Sequence, residues 1–238
     1  MECTIKLRQN DVDALDGTGQ PCPYSKALYG DPSRSEAWHK TNDYLIKKFQ
    51  LKDRRLRSPM PIERYDFNRR DLPALFTELG FTRGAEIGVA KGEFSEIMCK
   101  GMPNLKELIC VDPWATYDDN PRGHVEQNEA WQMAHERLAA YPVTFLRKFS
   151  MDAVRMFPEK SLDWVYIDAH HSFNYVICDI VEWSKRVRSG GTICGDDYFD
   201  MRWGGVVDAV NAYTHHHRIS PWYIFNAYRS VDFMWVNP

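Results

Sequence analysis

Short apolar runs and longer stretches of helical spacing take turns along most of this chain. The runs Ala85–Val89, Leu108–Val111, Val143–Leu146, Leu162–Ile167 and Thr192–Cys194 are compact and predict strands. Between them, Phe94–Lys100, Val125–Ala140, Asp152–Phe157 and Phe173–Val187 predict helices. The last carries Val176, Ile177, Ile180, Val181 and Trp183, with Gly190-Gly191 as its stop. Val206–Tyr213 predicts one more helix. Then Trp222–Phe225 and Val231–Val236 predict two strands with no room for a helix between them. Strand–helix alternation implies a parallel sheet covered on both faces. The final pair is a hairpin, because a parallel crossover needs a dozen or more residues, so one antiparallel strand enters the sheet.

The first 80 residues follow no such rhythm. Residues 1–33 are rich in turn formers, among them Asp16-Gly17, Gly19, Pro21 and Pro23, and are expected to be largely irregular. Ser33 or Ser35 caps an expected helix over about 36–50, with Trp38, Tyr44, Leu45 and Phe49 apolar. A basic stretch follows, from Lys47 and Lys48 to Lys52, Arg54, Arg55 and Arg57, and suits a solvated helix end and linker or a patch for phosphate. Pro59 and Pro61 break the chain. Asp71 is the expected cap of a short helix with Pro73 in its first turn, and Gly80 ends that helix. The division is therefore an N-terminal extension, 1–80, partly helical and a candidate cover for a substrate site, and a regular α/β domain, 81–238.

Composition narrows the class. Hydrophobic residues make up 44% of 238, enough for a sizeable core, and the formal charge of −3 offers no basic excess for a nucleic acid. The six cysteines form no C-x-x-C pair and read as reduced thiols of a cytoplasmic protein. The first residues lack a signal-peptide pattern, and no run approaches a membrane span. A homo-oligomer is left open.

The chemistry gathers where the strands end. In open α/β sheets ligands bind outside the C-terminal ends of the strands. Glu86, Asp112, Asp168, Asp196 and Asp197 all stand at or just past such ends. One acid there is explained by helix capping; acids at four strand ends are not. Glu86, Gly88 and Gly92 form E-x-G-x-x-x-G at a strand–turn–helix, where glycines let the backbone approach a ligand. The dinucleotide pattern G-x-G-x-x-G is absent, which disfavours an NAD-dependent dehydrogenase. An acid at the strand end repels a pyrophosphate and suits S-adenosylmethionine (SAM), which carries an ammonium, a sulfonium and no phosphate. Asp112, 20 residues beyond Gly92, is placed to accept ribose hydroxyls, a feature shared by NAD and SAM sites. Trp114 is a candidate to stack on adenine.

Five segments carry a family resemblance: E-I-G-V-A-K-G, V-D-P-W, W-V-Y-I-D-A-H-H-S-F, G-G-T-I-C-G-D-D-Y and the terminal hairpin. Over roughly Phe81–Pro238 the chain resembles class I SAM-dependent methyltransferases, in particular the small-molecule O-methyltransferase branch that includes the macrocin type. The resemblance implies a Rossmann-like seven-stranded sheet of order 3-2-1-4-5-7-6, with strand seven antiparallel and helices on both faces. It implies that Glu86, Gly88, Ala90 and Gly92 hold the methionine end, Asp112 and Trp114 the nucleoside, and Ser150 and Met151 the adenine edge, with Asp168 beside the cofactor. It also implies a divalent metal, Mg²⁺ or similar, on Asp168, Asp196 and Asp197. Three carboxylates suit such a hard cation. His171 stands where the catechol-type members carry a lysine base and is the candidate general base, with Asp168 as its catalytic partner. Tyr198 is a weaker candidate, and His215-His216-His217 reads as a solvated helix end.

The expectation is an enzyme that methylates a hydroxyl of a small molecule, with sugars and glycosides as first acceptors. Trp38, Tyr44, Tyr65, Trp114, Tyr117 and Trp203 are candidates for an aromatic acceptor wall, and loop 113–124 for a lid. Two alternatives compete. An RNA ribose methyltransferase would use the basic stretch 47–57, although I-D-A-H-H stands where base methyltransferases carry N/D-P-P-[YF]. A non-catalytic Rossmann-like binding module would keep the fold and lose the acids.

Overall fold

The structure, a computed structural model, describes residues 34–52, 58–116, 124–199, 204–226 and 231–238. Its strands are β1 (Ile62–Arg64), β2 (Arg83–Ile87), β3 (Glu107–Asp112), β4 (Val143–Arg147), β5 (Leu162–Ile167), β6 (Val187–Gly195), β7 (Trp222–Phe225) and β8 (Asp232–Val236). Its helices are α1 (Glu36–Lys48), α2 (Leu72–Glu78), α3 (Glu93–Gly101), α4 (His124–Leu138), α5 (Ser150–Ala153), α6 (Phe173–Arg186) and α7 (Val206–His216). Short 3₁₀ turns cover Arg69–Asp71 and Val154–Met156.

All eight strands share one sheet, ordered β1-β7-β8-β6-β5-β2-β3-β4. Strands β2 to β8 reproduce the seven-strand order that the family resemblance implies. Only β8 runs antiparallel to its neighbours β6 and β7. The departure is β1, which adds an eighth strand parallel to β7 through Ile62↔Tyr223 and Arg64↔Phe225. It follows Pro61, where the chain was expected to break and no strand was expected. Three residues after Pro61 carry no strand signal of their own; the open edge of β7 supplies the partner, and Ile62 is buried by it.

Side chains alternate across the sheet and fill two cores. Trp164 and Tyr166 of β5 face a core shared with Leu45 of α1, Phe76 of α2, Met98 of α3 and Ala134 of α4. Val165 and Ile167 face the opposite core, shared with Ala153 of α5, Ile180 and Trp183 of α6 and Val210 of α7. This period of two is why apolar residues are nearly continuous along β5: both faces are buried.

Two boundaries differ from the expected ones. Helix α6 ends at Arg186 and β6 begins at once, running through the Gly-Gly pair expected to lie outside it. The pair serves packing rather than helix termination. A Cβ on Gly190 (φ +78°) would stand 2.6 Å from the Ala37 carbonyl oxygen, and one on Gly191 would stand 2.3 Å from that of Asp163. Helix α1 thereby lies against β6, where Thr41 Oγ1 donates to the Gly190 carbonyl at 2.8 Å. Ser35 caps α1 by accepting from Trp38 N at 3.1 Å. Asp71, the expected cap of α2, makes no such bond. Its carboxylate instead accepts from Asn68 N at 2.9 Å, while Asn68 Oδ1 accepts from Arg70 N. This capping box closes the turn Arg69–Asp71 and fixes where Arg69 points.

Candidate active site

Strand β2 delivers Glu86 to the interior, 2% exposed, where Ser95 Oγ of α3 donates to its carboxylate. Burial pushes the Glu86 carboxyl up to about 8, and the charges of Asp168 and Asp112 push the same way; the Ser95 hydrogen bond and Arg69 pull it back. The chain then turns at Gly88 (φ +90°). A Cβ there would sit 1.8 Å from the Asp168 carbonyl oxygen, so only glycine lets the β2 loop lie on the end of β5. Gly88 N donates to the Val111 carbonyl and Asp168 N to that of Ile87, each at 2.8 Å. Strand ends β2, β3 and β5 are stitched together at this point.

Asp112, closing β3, accepts from Val89 N and Ala90 N at 3.0 Å and from Trp114 N at 2.6 Å. It therefore braces the glycine loop. Ala90 and Trp114 both hold positive φ, +49° and +42°, so the loop is strained where it is braced. Gly92, with φ +73°, opens α3. Trp114 departs from the expected open stacking face. Its indole is 1% exposed, meets Trp131 edge-on at 4.5 Å and donates to the Ala90 carbonyl at 2.8 Å. The ring is committed to the core because its N–H has its partner there.

On the other side of Gly88 stand the acids of β5 and β6. Asp168, His171 and Asp197 each present a ligand atom, all within 4.8 Å of one another. His171 Nε2 lies 2.9 Å from Asp197 Oδ2 and 3.9 Å from Asp168 Oδ1. Hydrogen bonds to Asp168 and Asp197 push His171 up to about 10 against the opposing effect of burial, so the ring is an imidazolium at neutral pH. Asp197 adopts φ +61°, a left-handed conformation that aims its carboxylate at His171.

Asp196 is the correction to the expected metal triad. Its carboxylate is not one of the converging groups: it pairs with Arg69 Nη1 and accepts from Asp197 N at 2.7 Å. Burial pushes it up to about 7, with Asp168 and Asp232 adding to the effect. The trio that converges is Asp168, His171 and Asp197, not Asp168, Asp196 and Asp197.

Ser150 and Met151 open α5 just past β4. Ser150 Oγ donates to Asp179 and accepts from Trp183 Nε1 at 2.8 Å, and Met151 packs on the α6 side of the sheet. The Ser150 hydroxyl is thus tied to α6. Tyr198 turns to α7, its hydroxyl 2.8 Å from Asn211 Oδ1. His215, His216 and His217 are exposed where α7 ends. Of the expected aromatic wall, Trp38 and Trp114 are buried and Tyr65 is exposed. Tyr44 donates to Glu78 at 2.5 Å. Tyr117 and Trp203 lie outside the described residues, as do 117–123 of the expected lid and Arg54, Arg55 and Arg57 of the basic stretch.

Three residues of this region had no signal in the sequence. Arg69 lies in an ordinary-looking R-R-D segment well ahead of the domain. Tyr166 and Asp232 form a buried pair, 2.6 Å apart, beneath the acids, and nothing in either strand marks them as partners.

Comparison with known proteins now bears on this arrangement. Residues 85–198, from Ala85 of β2 through Tyr198, match the family described as "methyltransferase domain". Over this segment, just under half of the chain, the protein is similar to methyltransferase domains. The segment contains every acid of the site from Glu86 to Asp197, while Arg69 lies outside it. An uncharacterised protein of Acanthamoeba polyphaga mimivirus is 30% identical over 132 residues, 53% of this chain and 56% of that protein. The match thus spans little more than half of that relative. Among solved structures, an O-methyltransferase from Bacillus cereus, determined in complex with SAH, superposes with a TM-score of 0.53 at 13% identity. The match covers 90% of this chain and 95% of that one. The O-methyltransferase TomG from Streptomyces achromogenes, determined with SAM, gives 0.52 at 15% identity over 87% and 92%. At such identities the likeness is one of fold, and this chain shares that fold along nearly its whole length. Among the described residues no helix is long and apolar enough to cross a membrane.

Proposed function

We propose that this chain moves a methyl group from SAM to a hydroxyl of a small molecule, with a divalent cation at Asp168 and Asp197. The observation that carries the reading is the convergence of Asp168, His171 and Asp197 beside the Gly88 turn of a methyltransferase domain. The SAM- and SAH-bound relatives of the same fold support the choice of donor.

In this reading the loop from Glu86 to Gly92 takes the methionine end and Asp112 the ribose. Ser150 and Met151 border the adenine. The hydroxyl oxygen attacks the methyl carbon in line with the C–S bond; the bonding pair leaves with sulfur, and the products are a methyl ether and SAH. Holding the two reactants in that line is much of the rate gain. A cation on the carboxylates would polarise the hydroxyl and lower its pKa. The two carboxylates, Asp168 and Asp197, fit such a hard ion. The hydroxyl proton goes to His171, which can accept it only where the charges of Asp168 and Asp197 are offset by another partner. Sugars and glycosides are the first acceptors to screen. We place the reaction in the cytoplasm, since Cys99, Cys110, Cys178 and Cys194 are all free thiols.

Thermal unfolding with SAH, with and without Mg²⁺ and again in EDTA, tests this. A ligand at 100 times its Kd adds about 2.7 kcal/mol. The expected result is a shift with SAH and a further one with Mg²⁺. No response to SAH overturns the proposal. His171→Asn should keep Mg²⁺ binding and lose turnover; if Mg²⁺ binding goes instead, His171 is a ligand rather than the base.

A further inference from the structure

Acids gather where the strands of this domain end. Glu86, Asp168, Asp196 and Asp197 meet at the ends of β2, β5 and β6, with Asp232 buried behind them. The guanidinium that answers them comes from ahead of the domain. Arg69 is held by the Asn68–Asp71 capping box and lies 5.6 Å over the Phe94 ring. Its Nη1 pairs with Asp196 and stands 3.9 Å from Asp168 Oδ2. Asp196 is the carboxylate that this contact keeps out of the trio Asp168–His171–Asp197.

We infer that Arg69 is a built-in cation of the site, competing with a divalent metal for Asp196 and so setting how tightly that metal binds. The inference rests on the proposed metal-assisted function and adds to it the residue that tunes the metal. A guanidinium and a metal ion cannot share one carboxylate edge. While Arg69 holds Asp196, the cation has Asp168 and Asp197 as its carboxylates. When Arg69 leaves, Asp196 is released to become a third. The turn that carries Arg69 precedes α2, so movement of the N-terminal segment would change metal affinity at the site. Arg69 is a positioning residue: it acts through Asp196.

The test is calorimetric titration of the whole chain with Mn²⁺, in the wild type, Arg69→Met, Asp196→Asn, Asp197→Asn and the double variant Arg69→Met/Asp196→Asn. Changes around metal ligands typically alter affinity by about 10–100-fold. Arg69→Met should tighten Mn²⁺ by about tenfold or more, and the gain should vanish in the double variant. Asp196→Asn alone should leave Mn²⁺ affinity unchanged, whereas Asp197→Asn should weaken it. Unchanged or weaker binding by folded Arg69→Met overturns the inference, as does an Asp196→Asn loss equal to that of Asp197→Asn. Absence of Mn²⁺ binding in every form overturns it too. Removing Arg69 leaves a buried acid without its partner; if that variant does not fold, Asp196→Asn against Asp197→Asn still decides. SAH titration of the same proteins separates the two claims. SAH binding with no metal response to Arg69 sinks this inference alone, and failure of the wild type to bind SAH sinks the proposed function.

Discussion

Asp179 lies 4% exposed on α6, with Ser150 Oγ as its hydrogen-bond donor and Trp183 behind that hydroxyl. Burial pushes its carboxyl from 3.8 up to about 7, and the Ser150 bond offsets only part of the rise. The folded chain therefore keeps this proton to about pH 7, while the unfolded chain loses it near 3.8. Stability that is fully present below the lower value is lost as pH rises through the upper one. A shift of roughly three units corresponds to about 4 kcal/mol, at about 1.4 kcal/mol per unit. Asp179→Asn keeps the shape and an acceptor for Ser150, and carries no charge. The variant and the wild type should be about equally stable near pH 4. The variant should then gain about 1.4 kcal/mol per pH unit and level off above pH 7. Urea unfolding of both proteins at pH 4.5, 6 and 8 measures this, and taking the difference removes groups common to both. A difference that stays flat, or a variant that is the weaker protein at pH 8, would refute the reasoning.

Three other outcomes follow from the site and its supports. Gly88→Ala places a methyl group against the Asp168 carbonyl oxygen at a positive φ. It should cost about 3–4 kcal/mol in a denaturant melt and abolish SAH binding in calorimetry. Asp112→Ala leaves the N–H groups of Val89, Ala90 and Trp114 without their carboxylate. It should cost about 1–3 kcal/mol and weaken SAH by at least about tenfold, at about 1.4 kcal/mol per decade. Ser35→Ala removes the cap of α1 and should lower stability by about 1 kcal/mol. SAH affinity should stay unchanged in that variant, because α1 packs on β6 and not on the loop Glu86–Gly92.

Much of the site was legible because strand ends announce themselves. Glu86 lies within an apolar run and Asp112, Asp168 and Asp197 at or just past the end of one, and the sheet topology carries all four to one edge. Chemical identity was readable there; orientation was not. Asp196 and Asp197 are neighbours in the chain and both looked like ligands, yet Asp196 pairs with Arg69 while Asp197 lies 2.9 Å from His171. Trp114 shows the same limit: its position after β3 is visible in the sequence, but not the Ala90 carbonyl that captures its indole N–H.

The order of the seven main strands was legible only through the family resemblance; by itself the sequence determined the α/β class, the alternation of strands and helices, the terminal hairpin and the set of acids near the strand ends. These rest on local patterns, since the periods of 2 and 3.6 and the glycine positions are properties of neighbouring residues. Tertiary structure alone decided the rest. Strand β1 exists because the edge of β7 needed a partner. The Gly190-Gly191 pair belongs inside β6 because α1 presses on it. Arg69 reaches Asp196 because a capping box on one turn meets the end of a strand 127 residues away. Each depends on two segments distant in the chain becoming neighbours in space, and no pattern within one segment records what its future neighbour will be.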